Sequence, residues 1–215
     1  MNRYQWVIST IAILAAGSLA VGCTPGGVGD PCIPEDEYEA GFSGYGLEEV
    51  NVEAMSFQCE TRLCLVNHFR GRVSCPYGQQ FPPNADGSVG NVNNIADPNM
   101  RCKVPDGKST LVTVEVQPQL VKRRANNSVY CSCRCSGPDK TARYCKCPSG
   151  YGCTLLNDIP LGSGSSQLLG SYCVRNGTAY SKGSDSNSQA CAVTSPQDTN
   201  TLCGYEGYPA NVNPY

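Results

Sequence analysis

Fifteen cysteines in 215 residues constrain this chain more than any other feature. In an oxidising compartment cysteines at such density pair, and the cross-links make up for an apolar core too thin to stand alone. Composition agrees: the chain has 4 Phe, 8% aromatic residues, 23 Gly and 15 Pro, which means many turns and no large layered core. The expected fold is small, disulfide-rich and mostly β, with short strands and hairpins separated by long irregular loops.

An odd cysteine count calls for one sulfur with another fate, and the N-terminus offers it. Arg3 is the only charged side chain before Asp30, Trp6 to Ala16 is an apolar run, and small residues follow. That is the layout of an export signal, and the run falls short of the roughly 20 apolar residues of a spanning helix. It ends in Leu19-Ala20-Val21-Gly22-Cys23, which resembles the lipobox of bacterial lipoproteins. The resemblance implies a diacylglyceryl group on the Cys23 thiol, cleavage after Gly22 and acylation of the new amine. Ala20 departs from the more usual Leu. Thr24 stands where an Asp would favour inner-membrane retention, so the outer membrane is the implied address. Three acyl chains anchor a protein durably without spanning the bilayer. This covalent lipid is the only cofactor expected. The other 14 cysteines are enough for seven disulfides.

Residues 1–22 are thus read as signal peptide and 23–30, rich in glycine, as a flexible tether. Residues 31–100 form an acidic, loop-rich region, 101–180 a cysteine-rich β region and 181–215 a loose polar tail carrying Tyr205, Tyr208 and Tyr215. Alternation or β-rich composition predicts strands at Val50-Asn51-Val52, Arg62 to Val66, Gly71 to Cys75, Thr110 to Val116 and Ser128 to Cys135. In the last, Val129, Cys131, Cys133 and Cys135 share one face, while Tyr130, Ser132 and Arg134 point the other way, leaving Arg134 free to face solvent. Asn176-Gly177 predicts a hairpin joining Tyr172–Arg175 to Thr178–Tyr180. Pro76 to Met100 reads as a long loop and a boundary.

Cys131-Ser132-Cys133-Arg134-Cys135 and Cys145-Lys146-Cys147, with Cys153 beyond, form the densest constellation. C-x-C lays sulfurs in a row along a strand, and Gly137-Pro138-Asp139 could turn one row onto the other. Cross-strand disulfides follow. The rival is a metal site built from Cys131 to Cys153, although structural zinc prefers wider spacing and thiolates. Cys145 to Cys153 resembles the closing segment of an EGF-like module, whose other spacings are not met. Asn84 to Asn94 offers oxygen ligands for calcium, out of EF-hand order.

No reaction is written here, and the chain is expected not to be an enzyme. His68, the sole histidine, has apolar neighbours and reads as a packed residue rather than a base. Gly107-Lys108-Ser109 lacks the leading glycine of a phosphate loop, because position 102 is Cys. Gly41-Phe42-Ser43-Gly44-Tyr45 misses the nucleophile elbow. C-x-x-C is absent. Between Arg101 and Lys146 ten basic residues face three acidic ones in a chain of net charge −2. Lys122, Arg123, Arg124, Arg134, Lys140, Arg143 and Lys146 are the candidate patch for an anionic polysaccharide or an acidic envelope protein. Nucleic acid is not an expected partner of an exported protein, and the oligomeric state is not legible. The expected function is that of a lipid-anchored structural or binding component of the cell envelope.

Overall fold

The computed structural model describes residues 26–156 and 169–191. Leu19 to Cys23, Cys203 and the three tail tyrosines lie outside them. Two small antiparallel sheets organise the described residues, with few and short helices. The fold is disulfide-rich and mostly β, as composition implies.

The first sheet holds β1 (Val50–Glu53), β2 (Leu63–Asn67) and β3 (Val129–Ser132) in that order. Its registers pair Val52 with Leu65 and Leu65 with Tyr130, and on the other face Cys64 with Cys131 and Val66 with Val129. Both faces are covered. Val50, Val52, Leu65 and Tyr130 pack with Leu156, Tyr172 and Val174. Opposite them, Cys64, Val66, Val129 and Cys131 pack with Ile33, Tyr45, Phe69, Val73 and Ala125. The alternation of residues 129–132 is therefore real, but the supposed outer face, Tyr130 and Ser132, is buried too. Alternation tells which residues share a side, not whether water lies on it.

The second sheet holds β4 (Arg134–Ser136), β6 (Ser171–Arg175) and β5 (Tyr151–Leu155), with β6 central. The expected single strand from Ser128 to Cys135 is thus divided. A short helix, α1 (Ala125–Ser128), precedes β3, the ladder breaks at Cys133, and β4 joins a different sheet. The Asn176-Gly177 turn forms with Gly177 at φ 79°, but no hairpin follows. β6 takes β4 and β5 as its neighbours, and the chain beyond the turn is drawn off by Arg123, which donates to Thr178 O at 2.7 Å.

Two other predicted strands keep their alternation without a ladder. Val112 and Val116 are buried while Thr113 and Glu115 are exposed, yet only the isolated bridges Lys103–Leu111 and Gln79–Val116 form. Side chains stand in for backbone partners: buried Gln79 donates from Nε2 to Val112 O and Val114 O, and its Oε1 accepts from Cys102 N–H. Gly71 to Cys75 is a turn closed by an Arg72–Cys75 bridge. The pentapeptide Gly41 to Tyr45 makes a close crossing, because Tyr45 and Gly71 exchange both backbone hydrogen bonds. A Cβ on Gly44, at φ 101°, would sit 2.6 Å from the Gly71 carbonyl carbon.

The long 76–100 loop is no domain boundary, since β3 pairs with β2 across it and Cys59–Cys131 and Cys75–Cys102 span it. Residues 26–30 of the expected tether are bound to the body through backbone hydrogen bonds to Gln58, Glu60 and Cys131. The beginning of the expected loose tail is docked as well. Helix α2 (Lys182–Ser186) is followed by hydrogen bonds from Val121 N–H to Gln189 O and from Cys191 N–H to Gln119 O.

Candidate functional site

Six disulfides link the described cysteines: Cys32–Cys64, Cys59–Cys131, Cys75–Cys102, Cys133–Cys145, Cys135–Cys153 and Cys147–Cys173. Cys191 is also disulfide-bonded. The two C-x-C rows do meet, through Cys133–Cys145, but the rest of the expected pattern is redistributed. Because the chain breaks strand geometry at Cys133, Cys131 stays with the first sheet and joins Cys59, whereas Cys135 reaches Cys153 and Cys147 reaches Cys173 on the second.

Strand pairing places these sulfurs. Cys153 lies opposite Cys173 in the β5–β6 register, Cys173 N–H donates to Cys133 O at 3.0 Å, and Cys145 N–H donates to Arg134 O at 3.1 Å. The result is a compact sulfur cluster in which Cys173 Sγ lies 3.4 Å from Cys133 Sγ and 3.8 Å from Cys145 Sγ. Three groups of cysteines have metal-like proximity: Cys32, Cys59 and Cys131; Cys133, Cys145 and Cys173; and Cys135, Cys147 and Cys173. Every one of these sulfurs is in a disulfide and so is not a thiolate donor in this oxidised state.

The basic segment divides into structural and surface residues. Arg123 is buried, with only 2% of its surface exposed. Its guanidinium donates to His68 O at 2.9 Å, to Thr178 O and to Asn67 O, and burial lowers its pKa, with Asp185 opposing that shift. It cannot belong to an exposed patch. Arg134 is half-buried rather than free, with its guanidinium carbon 5.5 Å from the Tyr144 ring centroid. A Cβ on Gly137 would strike that guanidinium. Arg124 is half-buried as well. Lys122, Lys140, Arg143 and Lys146 remain exposed, and Lys122 is turned toward Ser184, with Nζ 2.9 Å from its hydroxyl.

His68 sits just past β2 at φ 51°, stacked on Tyr180 with ring centroids 4.0 Å apart. Its Nδ1 lies 3.1 Å from Leu47 O. It is a packed, hydrogen-bonded residue, as its neighbours suggest. Asn84 to Asn94 is closed by its own amides. Asn94 Nδ2 donates to Asn84 Oδ1, Asn84 Nδ2 donates to Ser88 Oγ and Val89 O, and Asn91 and Asn94 form a reciprocal cap.

Sequence reasoning did not single out the buried polar residues that tie the loops together. Glu37 accepts from Val73 N–H and Ser74 N–H and faces Arg72, whose guanidinium donates to Glu37 O, Glu39 O and Phe42 O. Burial raises the Glu37 carboxyl pKa, against the lowering effect of Arg72. No periodicity marks such residues. It also did not single out Met55 and Phe57, both exposed, because their exposure is set by the fold and leaves no mark in the sequence.

No helix among the described residues is long and apolar enough to cross a membrane. No protein-family model matches the chain, and neither a curated protein nor a solved structure matches it.

Proposed function

We propose that this chain is a lipid-anchored, disulfide-stabilised cell-envelope protein, acting as a structural or binding component without catalysis and held on the outer membrane through Cys23. Cysteine accounting carries the reading. Twelve cysteines pair among the described residues and Cys191 is disulfide-bonded too. Of the fifteen in the chain, only Cys23 and Cys203 are left to supply its partner and one remaining sulfur. If the lipid takes Cys23, Cys203 completes a seventh bridge. The lipobox resemblance and the oxidising compartment that such bridges require point the same way.

The exposed cations Lys122, Lys140, Arg143 and Lys146 are the residues left for an acidic polysaccharide or envelope-protein partner. Mass analysis of the mature N-terminal peptide tests the anchor. A diacylglyceryl group and an acylated amine on Cys23, release of Cys23→Ala from membranes, and a Cys191–Cys203 peptide link are expected. An unmodified N-terminus would overturn it. Alkylatable thiols at two or more of Cys131, Cys133, Cys135, Cys145 and Cys147 together with bound zinc would instead favour a metal-binding protein.

A further inference from the structure

The loop between β1 and β2, Ala54 to Arg62, carries two of the most exposed large apolar side chains among the described residues, Met55 at 72% and Phe57 at 78%. It is not a loose tip. Cys59 is bonded to Cys131 of β3, Ser56 N–H donates to Arg62 O at 3.1 Å, and Arg62 N–H donates to Cys59 O at 3.0 Å. Gln58 adds two side-chain bonds to the Ile33 backbone, at 3.0 and 2.7 Å. A rigid loop thus holds a Phe and a Met in solvent, with the Arg62 guanidinium 4.6 Å from the Phe57 ring centroid.

What can cover them follows from where the N-terminal segment enters. Gly26 forms a parallel bridge with Cys59, its N–H donating to Gln58 O and its carbonyl accepting from Glu60 N–H, both at 2.8 Å. Gly29 and Asp30 continue this attachment through backbone bonds to Cys131. Only Thr24 and Pro25 separate Cys23 from Gly26, and even fully extended that step is at most about 11 Å. Cys23 therefore lies within about 11 Å of Gly26, which is bonded to Gln58, the residue next to Phe57, and a lipid on Cys23 brings the bilayer into that neighbourhood.

Resting on the lipid-anchor reading above, we infer that the Ala54–Arg62 loop is a membrane-contact face, with Met55 and Phe57 entering the headgroup–acyl boundary of the bilayer that holds the Cys23 lipid. Interfacial apolar groups enter about 5 to 10 Å deep in that zone. The Arg62 guanidinium rests on the Phe57 ring, and its long stem would let it move to the phosphates as Phe57 enters the bilayer. Glu60 is exposed on the same loop, and Glu53 precedes it. This face is therefore not strongly basic, and its attraction is apolar rather than electrostatic. The domain would then sit in a fixed orientation instead of swinging on a tether.

Tryptophan fluorescence tests this in the full chain. Trp6 is the only tryptophan and lies in the segment expected to be cleaved, so Phe57→Trp places a single indole in the mature protein. The processed protein is reconstituted in phosphatidylcholine vesicles with or without brominated acyl chains. Val89→Trp, at another highly exposed apolar site (88%) on the internally bonded 84–94 loop, is the control. Brominated lipid should remove most of the Phe57→Trp emission and shift the remainder to shorter wavelength, in high salt as in low, while leaving Val89→Trp unchanged. Met55→Trp should repeat the result if Phe57→Trp fails to fold. Protein that floats with vesicles and carries lipid on Cys23 but shows no quenching at the loop overturns the contact face and leaves the anchor standing. Equal quenching at both sites also overturns it. Protein without Cys23 lipid that does not float overturns the anchor and the contact face together.

Discussion

The two sheets are the same size and are held in different ways. The first is covered on both faces by apolar side chains and carries two disulfides, Cys32–Cys64 and Cys59–Cys131, that span 32 and 72 residues. The second has an exposed edge strand, β5, and is stitched by three disulfides spanning 12, 18 and 26 residues. Burial organises the first on both faces, whereas the second shares that core only through Tyr172 and Val174 of β6 and relies on covalent closure for its edges. In the first, long-range bridges fix loops onto a core that already exists. In the second, each bridge removes chain entropy locally, most usefully at the edge strands β4 and β5, which bury little apolar surface of their own.

The largest effect should come from the polar network beside the first core. Arg72→Ala removes three carbonyl bonds and the partner of buried Glu37, so urea unfolding should show a loss of about 3 to 5 kcal/mol. A loss below about 1 kcal/mol, within the range of an ordinary surface substitution, would show that apolar packing holds the first region without the Arg72–Glu37 network.

Removing bridges in pairs compares the regions directly. On loop length alone, deleting Cys59–Cys131 (72 residues) should cost about 4 kcal/mol and deleting Cys133–Cys145 (12 residues) about 3. Hydrogen exchange separates them further. Loss of Cys133–Cys145 should expose the amides of β4 and β6 while those of β2 and β3 stay protected. Equal loss of protection in both sheets would mean that they form one cooperative unit.

Graded reduction sharpens the contrast at lower cost to the fold. Cys153 is exposed and Cys135 half-buried, whereas Cys59 and Cys131 are buried. Differential alkylation should therefore label Cys135 and Cys153 before Cys59 and Cys131, because attack on a disulfide depends on access. The opposite order would place the protective packing in the second sheet.

The smallest effect is the pH dependence of Glu37. Its carboxyl pKa is raised in the fold by burial, so the folded state holds this proton more tightly than the unfolded one. Stability from that source is fully present below the ordinary carboxylate range and is lost as pH rises through the raised value. The destabilisation caused by Glu37→Gln should accordingly be greatest in acid and shrink toward neutral pH. A cost that stays constant over that interval would show that Arg72 and the two backbone donors cancel the burial effect.

Much of the architecture was legible where side-chain chemistry is local. Val50-Asn51-Val52 and Leu63-Cys64-Leu65-Val66 fall in β1 and β2, since alternating or β-branched residues suit a pleated strand. Thr110 to Val116 shows the limit: its buried and exposed residues alternate as read, yet no ladder forms because Gln79 takes its carbonyls. The basic segment was legible as charge but not as surface. Arg123 and Lys122 are neighbours of the same sign, and only the carbonyls of Asn67, His68 and Thr178, 55 or more positions away in the chain, make one of them internal.

By itself the sequence determined the class of fold. Cysteine density, abundant Gly and Pro and scarce Phe leave a chain little choice but short strands closed by disulfides, because its apolar surface cannot offset the entropy of a larger ordered core. Tertiary structure alone decided which sulfurs meet, which cations are buried and where residues 26–30 attach. Those outcomes depend on distances between segments far apart in the chain, as when β2 lies between β1 and β3, or when Cys131 turns from its C-x-C neighbours to Cys59. No local spacing encodes them; they are set by packing, which aligns partners only once the strands have met.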